Sequence, residues 1–215
     1  MWPKIKIERI EVYAMPKIVD EQMREAMRRR IIQRAAGEFA RLGFDQANIN
    51  VIAEQAGIGK GTIYLYFENK RELFLAMLRQ IAQSQLSVIR AALASQATIR
   101  EQLEQLFYAF AQLARDDRDS FNVYMSALYG VNRAFKAEAV KLLRDYIDVI
   151  TQVLEQAERR GEISCPDLEA TALLVLSLTE SYVLSAGVLD YSEWEIERHA
   201  GLVVEAILHG IAPLK

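Results

Sequence analysis

The 215-residue chain is poor in residues that cross-link a fold or interrupt a helix: it has one cysteine, four prolines and ten glycines. The single cysteine, Cys165, excludes an internal disulfide framework and is typical of a protein kept in a reducing cytoplasm. Because prolines and glycines are rare, long runs of helix-forming residues continue without a break, and strand patterns are nearly absent. The composition therefore predicts an all-α fold.

Signals for export, catalysis and metal binding are also missing from the sequence. No charged start is followed by an apolar run and a small-residue cleavage site, so we expect a cytoplasmic protein. The two histidines, His199 and His209, are ten residues apart, which is not the i, i+4 spacing that places two metal ligands on one helix face. No phosphate-binding glycine motif, nucleophile elbow or Ser/His/Asp arrangement is found. We therefore expect no enzymatic activity, no catalytic residues, no metal and no cofactor.

The net charge of −3 is unevenly distributed along the chain. Residues 1–79 hold 14 Lys and Arg against 10 Asp and Glu, a net of +4, and the remaining residues hold 12 against 19, a net of −7. Only the surface that faces nucleic acid needs to be basic, so an acidic remainder is compatible with DNA binding by the N-terminal part.

Residues 43–74 combine two short helix patterns with a glycine between them. The side chain of Asn48 can cap the first helix. Gly57 can supply the left-handed backbone conformation that a tight turn between two crossing helices requires. The residues expected to be buried on the first helix are Ile52, Ala53 and Ala56, and those on the second are Ile63 and Phe67. The pattern predicts a DNA-reading helix-turn-helix.

The second short helix leaves a surface suited to a DNA duplex. Lys60 and Lys70 can neutralise phosphates, the tyrosine and threonine hydroxyls can bond phosphate oxygens, and Leu65 can meet a thymine methyl group. The predicted DNA-binding residues are Asn48, Asn50, Lys60, Gly61, Thr62, Tyr64, Leu65, Tyr66 and Lys70.

The segment AGIGKGTIYLYFENKRELF resembles the signature of the TetR (tetracycline repressor) family of bacterial transcriptional regulators. The resemblance runs in register from Arg30 to Leu73. The family usually has Thr where Asn48 stands and a charged residue where Val51 stands. Asn is an equally good cap, whereas Val51 removes the usual capping-box partner at the start of this helix.

The resemblance implies a domain organisation for the whole chain. We expect an N-terminal extension at residues 1–16, a three-helix helix-turn-helix DNA-binding domain at residues 17–68, and a helical effector-binding and dimerisation domain at residues 69–215, with about nine helices in all. The extension is either an added arm or sequence upstream of the true start.

Helix boundaries after the DNA-binding part are marked by local signals. N-cap and N3 pairs predict helix starts, and these pairs are Asn69 with Glu72, Thr98 with Glu101, and Ser192 with Glu195. The polar patch at residues 115–120 is expected to break one helix. A long helix from about Arg133 to Arg160 should be closed by Gly161, and Pro166 should begin the next.

The last two helices, Leu168 to Leu189 and the helix after Ser192, are unusually apolar. Glu180 and several Ser and Thr residues interrupt the first of them, so we expect no membrane span. The two helices either fill the core of one subunit or form a four-helix bundle with a second copy. We favour a homodimer, mainly because the family resemblance implies it.

A group of aromatic residues lies between Phe107 and Tyr146, and Tyr182 is counted with it. For any single residue we favour core packing, whereas for the group as a whole we favour an effector cavity, since related proteins commonly bind a small molecule in this part of the fold. Glu180 is the best polar contact in this apolar region, although it could instead be paired or face solvent. The predicted ligand-binding residues are Phe107, Phe110, Tyr124, Tyr146, Glu180 and Tyr182.

The sequence as a whole predicts a DNA-binding transcriptional regulator, a repressor that binds a palindromic operator as a homodimer. A small apolar or amphipathic effector, whose identity is not readable, would release it from double-stranded DNA. One alternative is a helix-turn-helix protein without an effector that acts as a nucleoid or cell-division factor. Another is an all-α ligand carrier, which would require the surface from Lys60 to Lys70 to be inert towards DNA.

Overall fold

The computed structural model describes residues 17–94, 97–129 and 135–211, so the extension at residues 1–16 lies outside the described part. Within it the chain forms nine helices and no strand, which confirms the all-α prediction. The helices are α1 (Lys17–Gln46), α2 (Ile49–Gln55), α3 (Lys60–Ile63), α4 (Lys70–Leu93), α5 (Ile99–Asp116), α6 (Arg118–Tyr129), α7 (Lys136–Arg159), α8 (Leu168–Val188) and α9 (Glu193–Ile211). We refer to α1–α3 as the head and to α4–α9 as the body.

The head is built on the apolar side of α1. Ile31, Ala35 and Phe39 are buried at i, i+4 and i+8, so they form one continuous stripe on the helix. The chain bends sharply at Gly43, whose φ of 69° lies in the left-handed region that favours glycine. This bend turns the end of α1 towards α2, and α2 packs against both α1 and α3.

Most helix starts lie where the local capping signals predict them. The Asn69 side chain accepts a hydrogen bond from the amide of Glu72, at 2.9 Å. Thr98 and Glu101 form a reciprocal capping box. Pro166 does not itself begin α8, because the cap is Asp167, whose carboxylate accepts from the Ala170 amide at 3.0 Å. The Ser192–Glu195 pair before α9 is also formed.

Helix α7 begins at Lys136 in the described part, and its predicted start at Arg133 lies outside the described residues. Its end is the predicted one. Gly161 has a φ of 74°, and its amide donates to the Glu158 carbonyl while the next amide donates to the Ala157 carbonyl. These two bonds form a Schellman motif. The polar patch at residues 115–120 breaks the helix at a single residue, Asp117, between α5 and α6.

The body is organised around α5, which packs against α4, α6, α7, α8 and α9. Its capping box fixes the start of a strongly amphipathic helix, and the buried side carries Leu103, Leu106, Phe107 and Phe110. Helices α7 and α8 pack closely against each other on one side of this core.

Helix α8 has apolar residues on more than one face, as predicted. Val175, Leu176 and Val183 are buried, while Leu174 on another face is 62% exposed. By length and composition, α8 is the one helix in the described part that is long and apolar enough to cross a membrane. The buried side of α8 packs against α5 and α7.

Four phenylalanines join the head to the body, and we call this cluster the aromatic junction. It consists of Phe39 and Phe44 from the end of α1, Phe74 from α4, and Phe135 at the start of α7. The Phe135 ring centroid lies 4.7 Å from that of Phe44 and 4.5 Å from that of Phe74. The cluster therefore fixes the corner before α2 against two helices of the body.

Candidate nucleic-acid interface and effector region

The turn between α2 and α3 is a Schellman motif. The amide of Gly57 donates to the Glu54 carbonyl at 2.9 Å, and the amide of Ile58 donates to the Ala53 carbonyl at 3.0 Å. Gly57 has a φ of 67°, as the turn requires. A Cβ atom at this position would lie 2.9 Å from Nη2 of Arg30, so the Arg30 guanidinium lies directly against the turn. The angle between α2 and α3 is thus fixed by backbone bonds and by close packing.

Helix α3 is a single turn that separates a buried side from an exposed one. Ile63 and Phe67 are each 1% exposed, which confirms their predicted burial. Leu65 is 73% exposed, and an apolar side chain held in water on a rigid turn is available for contact with a partner. We call the exposed side the recognition surface, and its residues are Lys60, Gly61, Thr62, Tyr64 and Leu65.

Lys70 is held differently from Lys60. Its ammonium group donates to the Asp45 carbonyl at 3.0 Å and lies 5.0 Å from the centroid of the Phe44 ring. Lys70 therefore ties the start of α4 to the corner before α2, whereas Lys60 is exposed at the start of α3. A phosphate contact by Lys70 would use a donor that remains after the bond to Asp45, since an ammonium group has three.

Asn48 caps α2 as predicted, with its side chain accepting from the Asn50 amide at 2.9 Å. The capping-box partner that Val51 cannot supply comes from α1 instead. Glu38, which is 2% exposed, accepts from the Asn48 amide at 3.2 Å through one oxygen and from Arg41 at 2.8 Å through the other. Burial raises the pKa of Glu38, but the hydrogen bonds from Arg41 and Asn48 outweigh it and hold the pKa below its usual range. Sequence reasoning missed Glu38 because it lies ten residues from the helix that it caps.

Five of the six predicted effector residues are buried in the core of the body, and Tyr182 is partly buried against it. Tyr146 is in contact with two other rings, with centroid distances of 5.4 Å to Tyr124 and 6.2 Å to Phe110. Phe107 packs on Tyr182 at 4.9 Å. The structure therefore brings the predicted aromatics together as two packed groups along α5.

Several polar atoms are buried among these rings. The Tyr146 hydroxyl donates to Gln85 Oε1 at 2.7 Å, and the Tyr129 hydroxyl donates to Glu180 Oε2 at 2.5 Å. Glu180 is 1% exposed. Among the described residues, Glu180 Oε1 has no hydrogen-bond partner. Sequence reasoning did not identify Gln85 or Tyr129, because both bonds join residues far apart in the chain.

A cleft of about 940 Å³ separates α1 of the head from the body. One wall carries Arg29, Arg30 and Arg34, and the other includes acidic residues of the turn between α5 and α6. Gln85 also lines the cleft. The hydrogen bond from Tyr146 to Gln85 therefore connects the cleft to the aromatic core.

The chain matches two family models. Residues 31–77 match the model described as bacterial regulatory proteins, tetR family, and residues 96–183 match the tetracyclin repressor-like C-terminal domain. The chain belongs to the TetR family. TetR-family proteins with this pair of regions are transcription regulators with a helix-turn-helix and a ligand-binding part, so the resemblance found in the sequence is confirmed.

Individual TetR-family relatives are similar along most of their length. The fatty acid metabolism regulator protein of Bacillus subtilis is 23% identical over 182 residues, which is 84% of this chain and 93% of the relative. The fatty acid degradation regulator FadR from Bacillus halodurans superposes with a TM-score of 0.75 and 21% identity, covering 86% of this chain and 95% of that one. The structure of FadR from Bacillus subtilis in complex with stearoyl-CoA superposes with a TM-score of 0.72 and 21% identity, covering 85% of this chain and 98% of that one. At these identities the two solved structures establish a shared fold.

Raising the pH from about 5 to about 8 is expected to destabilise this TetR-family protein through Glu180. Burial raises the pKa of Glu180 from its ordinary 4.5 to about 7, although the hydrogen bond from Tyr129 opposes the shift. Between these two pKa values the Glu180 carboxyl is protonated in the folded state and ionised in the unfolded state. Retention of this proton contributes about 3 kcal/mol to the free energy of unfolding. The contribution is complete below about pH 4.5 and is lost as the pH rises through about 7.

Denaturant unfolding of the wild type and of Glu180→Leu at both pH values measures this effect. The wild type should lose more free energy of unfolding than the variant between the two conditions. The same pH dependence in both proteins would show that Glu180 titrates normally.

Proposed function

We propose that this protein is a cytoplasmic bacterial repressor that binds a palindromic operator as a homodimer and is released by a long-chain acyl-CoA. The observation that carries the proposal is the recognition surface, in which a basic, hydroxyl-bearing and apolar set of side chains is exposed on a turn fixed by backbone hydrogen bonds. Such a surface on a helix-turn-helix is suited to the major groove. The division into a DNA-binding domain at residues 17–68 and an effector and dimerisation domain at residues 69–215 is part of the proposal.

We assign the contacts on DNA by the chemistry of each side chain. Lys60, Tyr64 and Lys70 would bind phosphates, which positions the protein without reading the sequence. Thr62, Leu65 and Asn50 would approach base edges. The exposure of Leu65 and Lys60 supports these roles, and the anchoring of Lys70 to Asp45 and Phe44 gives it a second role in holding the head together.

Lys60→Ala and Leu65→Ala are expected to weaken DNA binding in different ways. Loss of the phosphate contact at Lys60 should weaken binding to all sequences alike. It should also lower the salt slope, the slope of log affinity against log salt concentration, by about 1. Loss of the base contact at Leu65 should cost roughly 1–3 kcal/mol on the preferred site only. Mobility shifts over a salt series, on a site selected from random duplexes and on a scrambled duplex, distinguish the two effects.

Lys141→Ala is the matched control, because it removes an exposed lysine from α7 in the body. It should leave both the affinity and the salt slope unchanged. If Lys60→Ala behaves like Lys141→Ala and Leu65→Ala binds the selected site normally, the recognition surface is not the DNA face. Failure of the wild type to prefer any duplex would favour the ligand-carrier alternative.

The dimer is proposed to form through α8 and α9. Of the fourteen large apolar side chains that are exposed in the described part, eight lie between residues 173 and 202. Five of these follow α8 at the spacing of one helix stripe: Leu173, Leu174, Leu178, Leu184 and Val188. A stripe of this size on a water-soluble monomer is unfavourable, and a second copy placed across a two-fold axis would cover it. The two copies of α3 would then lie about 34–36 Å apart, one turn of DNA.

The effector class is proposed from the relatives and from the body's core. The Bacillus subtilis FadR structure contains stearoyl-CoA, and the body of the present protein has an apolar core next to a cleft that reaches Gln85. An acyl chain would enter this core, and dense packing would convert its volume into a displacement of α4 and of the head.

Titrating the operator complex with stearoyl-CoA tests this step. An affinity for DNA that is unchanged at saturating stearoyl-CoA would remove this effector class and favour a regulator without an effector.

A further inference from the structure

Helix α2 lacks the charged residues that usually stabilise the ends of a helix. Its first turn contains no acidic residue and its last turn contains no basic one. Glu54 instead places a negative charge in the last turn, where the backbone carbonyls already carry a partial negative charge and a cation is favoured. A charge that stabilises this end of α2 therefore has to come from another helix.

Helix α1 places one charge at each end of α2. At the start of α2, Glu38 accepts a hydrogen bond from the Asn48 amide. At its end, a Cβ atom added to Gly57 would lie 2.9 Å from Nη2 and 3.8 Å from Cζ of Arg30. Arg30 and Glu38 are eight residues apart, which is about 12 Å along α1, and the seven residues of α2 span about 11 Å. The acid and the base are thus spaced to match the two ends of α2.

A second arginine of α1 contacts the chain on the other side of α3. The Arg28 guanidinium carbon lies 5.2 Å from the centroid of the Phe67 ring, within the range of a cation–π contact. Phe67 is buried just after α3, whereas Gly57 lies just before it. Arg28 and Arg30 therefore hold the chain on both sides of the helix that carries most of the recognition surface, and we call this pair the arginine clamp.

Arg29, which lies between the two clamp residues in the sequence, has a different environment. Its side chain is 69% exposed, and its Nε atom pairs with Glu25 Oε1 at 3.2 Å, one turn earlier on α1. Arg29 is thus held by its own helix and by solvent. It is a matched control for the clamp, because it has the same chemistry and the same helix position to within one residue.

We propose that Arg28 and Arg30 are positioning residues for DNA binding: they fix the orientation of α3 on α1 and do not themselves contact phosphates. This inference rests on the proposed DNA-binding role of the recognition surface. A cation near a helix end and a cation–π contact each correspond to a factor of about 2- to 5-fold in an equilibrium. Without the clamp, α3 has more freedom in free solution, and binding to DNA has to order it again.

Hydrogen exchange in the absence of DNA tests the Arg30 contact. The amides of Gly57 and Ile58 are hydrogen-bonded within the turn, so their exchange rates report its opening. Arg30→Ala should increase both rates by about 2- to 5-fold, because the negative end of α2 loses its cation. Arg29→Ala should leave both rates unchanged. Equal rates in the two variants would show that Arg30 does not hold the turn, and would overturn the inference.

The Arg28 contact is tested in the same way after α3. The Phe67 amide donates to the Ile63 carbonyl at 3.0 Å. Arg28→Ala should increase the exchange rate of this amide by about 2- to 5-fold, because the Phe67 ring loses its cation. Arg29→Ala is again the control. An exchange rate that is the same in Arg28→Ala and in Arg29→Ala would remove Arg28 from the clamp.

DNA binding over a salt series distinguishes a positioning residue from a phosphate contact. Arg28→Ala and Arg30→Ala should each weaken binding to the selected site by about 2- to 5-fold, and the double variant by about 5- to 25-fold, with the salt slope unchanged. Arg29→Ala should bind normally. A salt slope lower by about 1 in either clamp variant, as expected for Lys60→Ala, would identify a phosphate contact and overturn the inference. Faster exchange together with unchanged affinity would also overturn it, because the clamp would then stabilise the head without affecting DNA binding.

Failure of the proposed function would look different from failure of the clamp. If the recognition surface is not the DNA face, Lys60→Ala and Leu65→Ala bind DNA normally while the exchange differences of the clamp variants persist. If only the clamp fails, Lys60→Ala and Leu65→Ala weaken binding as expected and the clamp variants behave like Arg29→Ala.

Discussion

Replacing Leu178 with glutamate is expected to convert the proposed dimer into monomers. Leu178 lies in the exposed apolar stripe of α8. In a two-fold interface the substitution places two copies of an unpaired carboxylate in an apolar contact, and an unpaired buried charge costs about 3–5 kcal/mol. The dimer dissociation constant should rise by about 10²- to 10³-fold. Operator affinity should fall with it, because a monomer can contact only one half-site.

Sedimentation over a concentration series measures the dissociation constant, and a mobility shift on the selected site measures the affinity for DNA. Val140→Glu is the control, because Val140 is a similarly exposed apolar residue on α7, outside the proposed interface. It should remain a dimer. A stable dimer for Leu178→Glu, together with dissociation of Val140→Glu, would move the interface from α8 to α7.

Replacing Phe135 with alanine is expected to cost about 3–5 kcal/mol of the free energy of unfolding, the usual range for a buried phenylalanine. Phe135 is 3% exposed and belongs to the aromatic junction, where it contacts Phe44 and Phe74. The Arg71 guanidinium also lies 5.0 Å from the centroid of its ring. The alanine variant would lose these contacts together and leave a cavity between the head and the body.

Denaturant unfolding measures the loss, with Phe135→Leu as the apolar control that keeps more of the side-chain volume and should cost less than the alanine variant. The alanine variant should also respond less to the effector, because the contact through which α7 holds the corner before α2 is gone. A cost below about 1 kcal/mol with a full effector response would show that the aromatic junction does not connect the two parts of the protein.

Features that depend on neighbouring residues could be predicted from the sequence. The caps at Asn48, Asn69, Thr98 and Ser192 all formed, because each uses a side chain within three residues of the amide that it binds. The left-handed glycines Gly57 and Gly161 were predicted for the same reason, since the backbone conformation is a local requirement. The fold class and the helix-turn-helix followed from these signals together.

Features that join distant residues could not be predicted. Glu38 and Asn48 are ten residues apart, and Tyr129 and Glu180 are 51 apart, so no local pattern relates them. The face of α8 that packs against the body could not be predicted either, because a helix that is apolar on all sides has no single face that is preferred for burial. The ligand contacts remain a prediction for a related reason: the same aromatic spacing serves a packed core and a binding cavity.

The bond from Glu38 to the amide of Asn48 has a consequence for how freely the head can change during evolution. In an ordinary capping box, the third residue of the helix must be Glu or Gln, which restricts the choice of side chain at that position. Here Glu38, a buried residue of α1, accepts the hydrogen bond from the Asn48 amide. Position 51 can therefore accept many side chains without loss of the helix start. Glu38 itself can hardly be exchanged, since both of its oxygens are used. Side chains at the start of α2 can therefore change while the backbone that presents them is preserved.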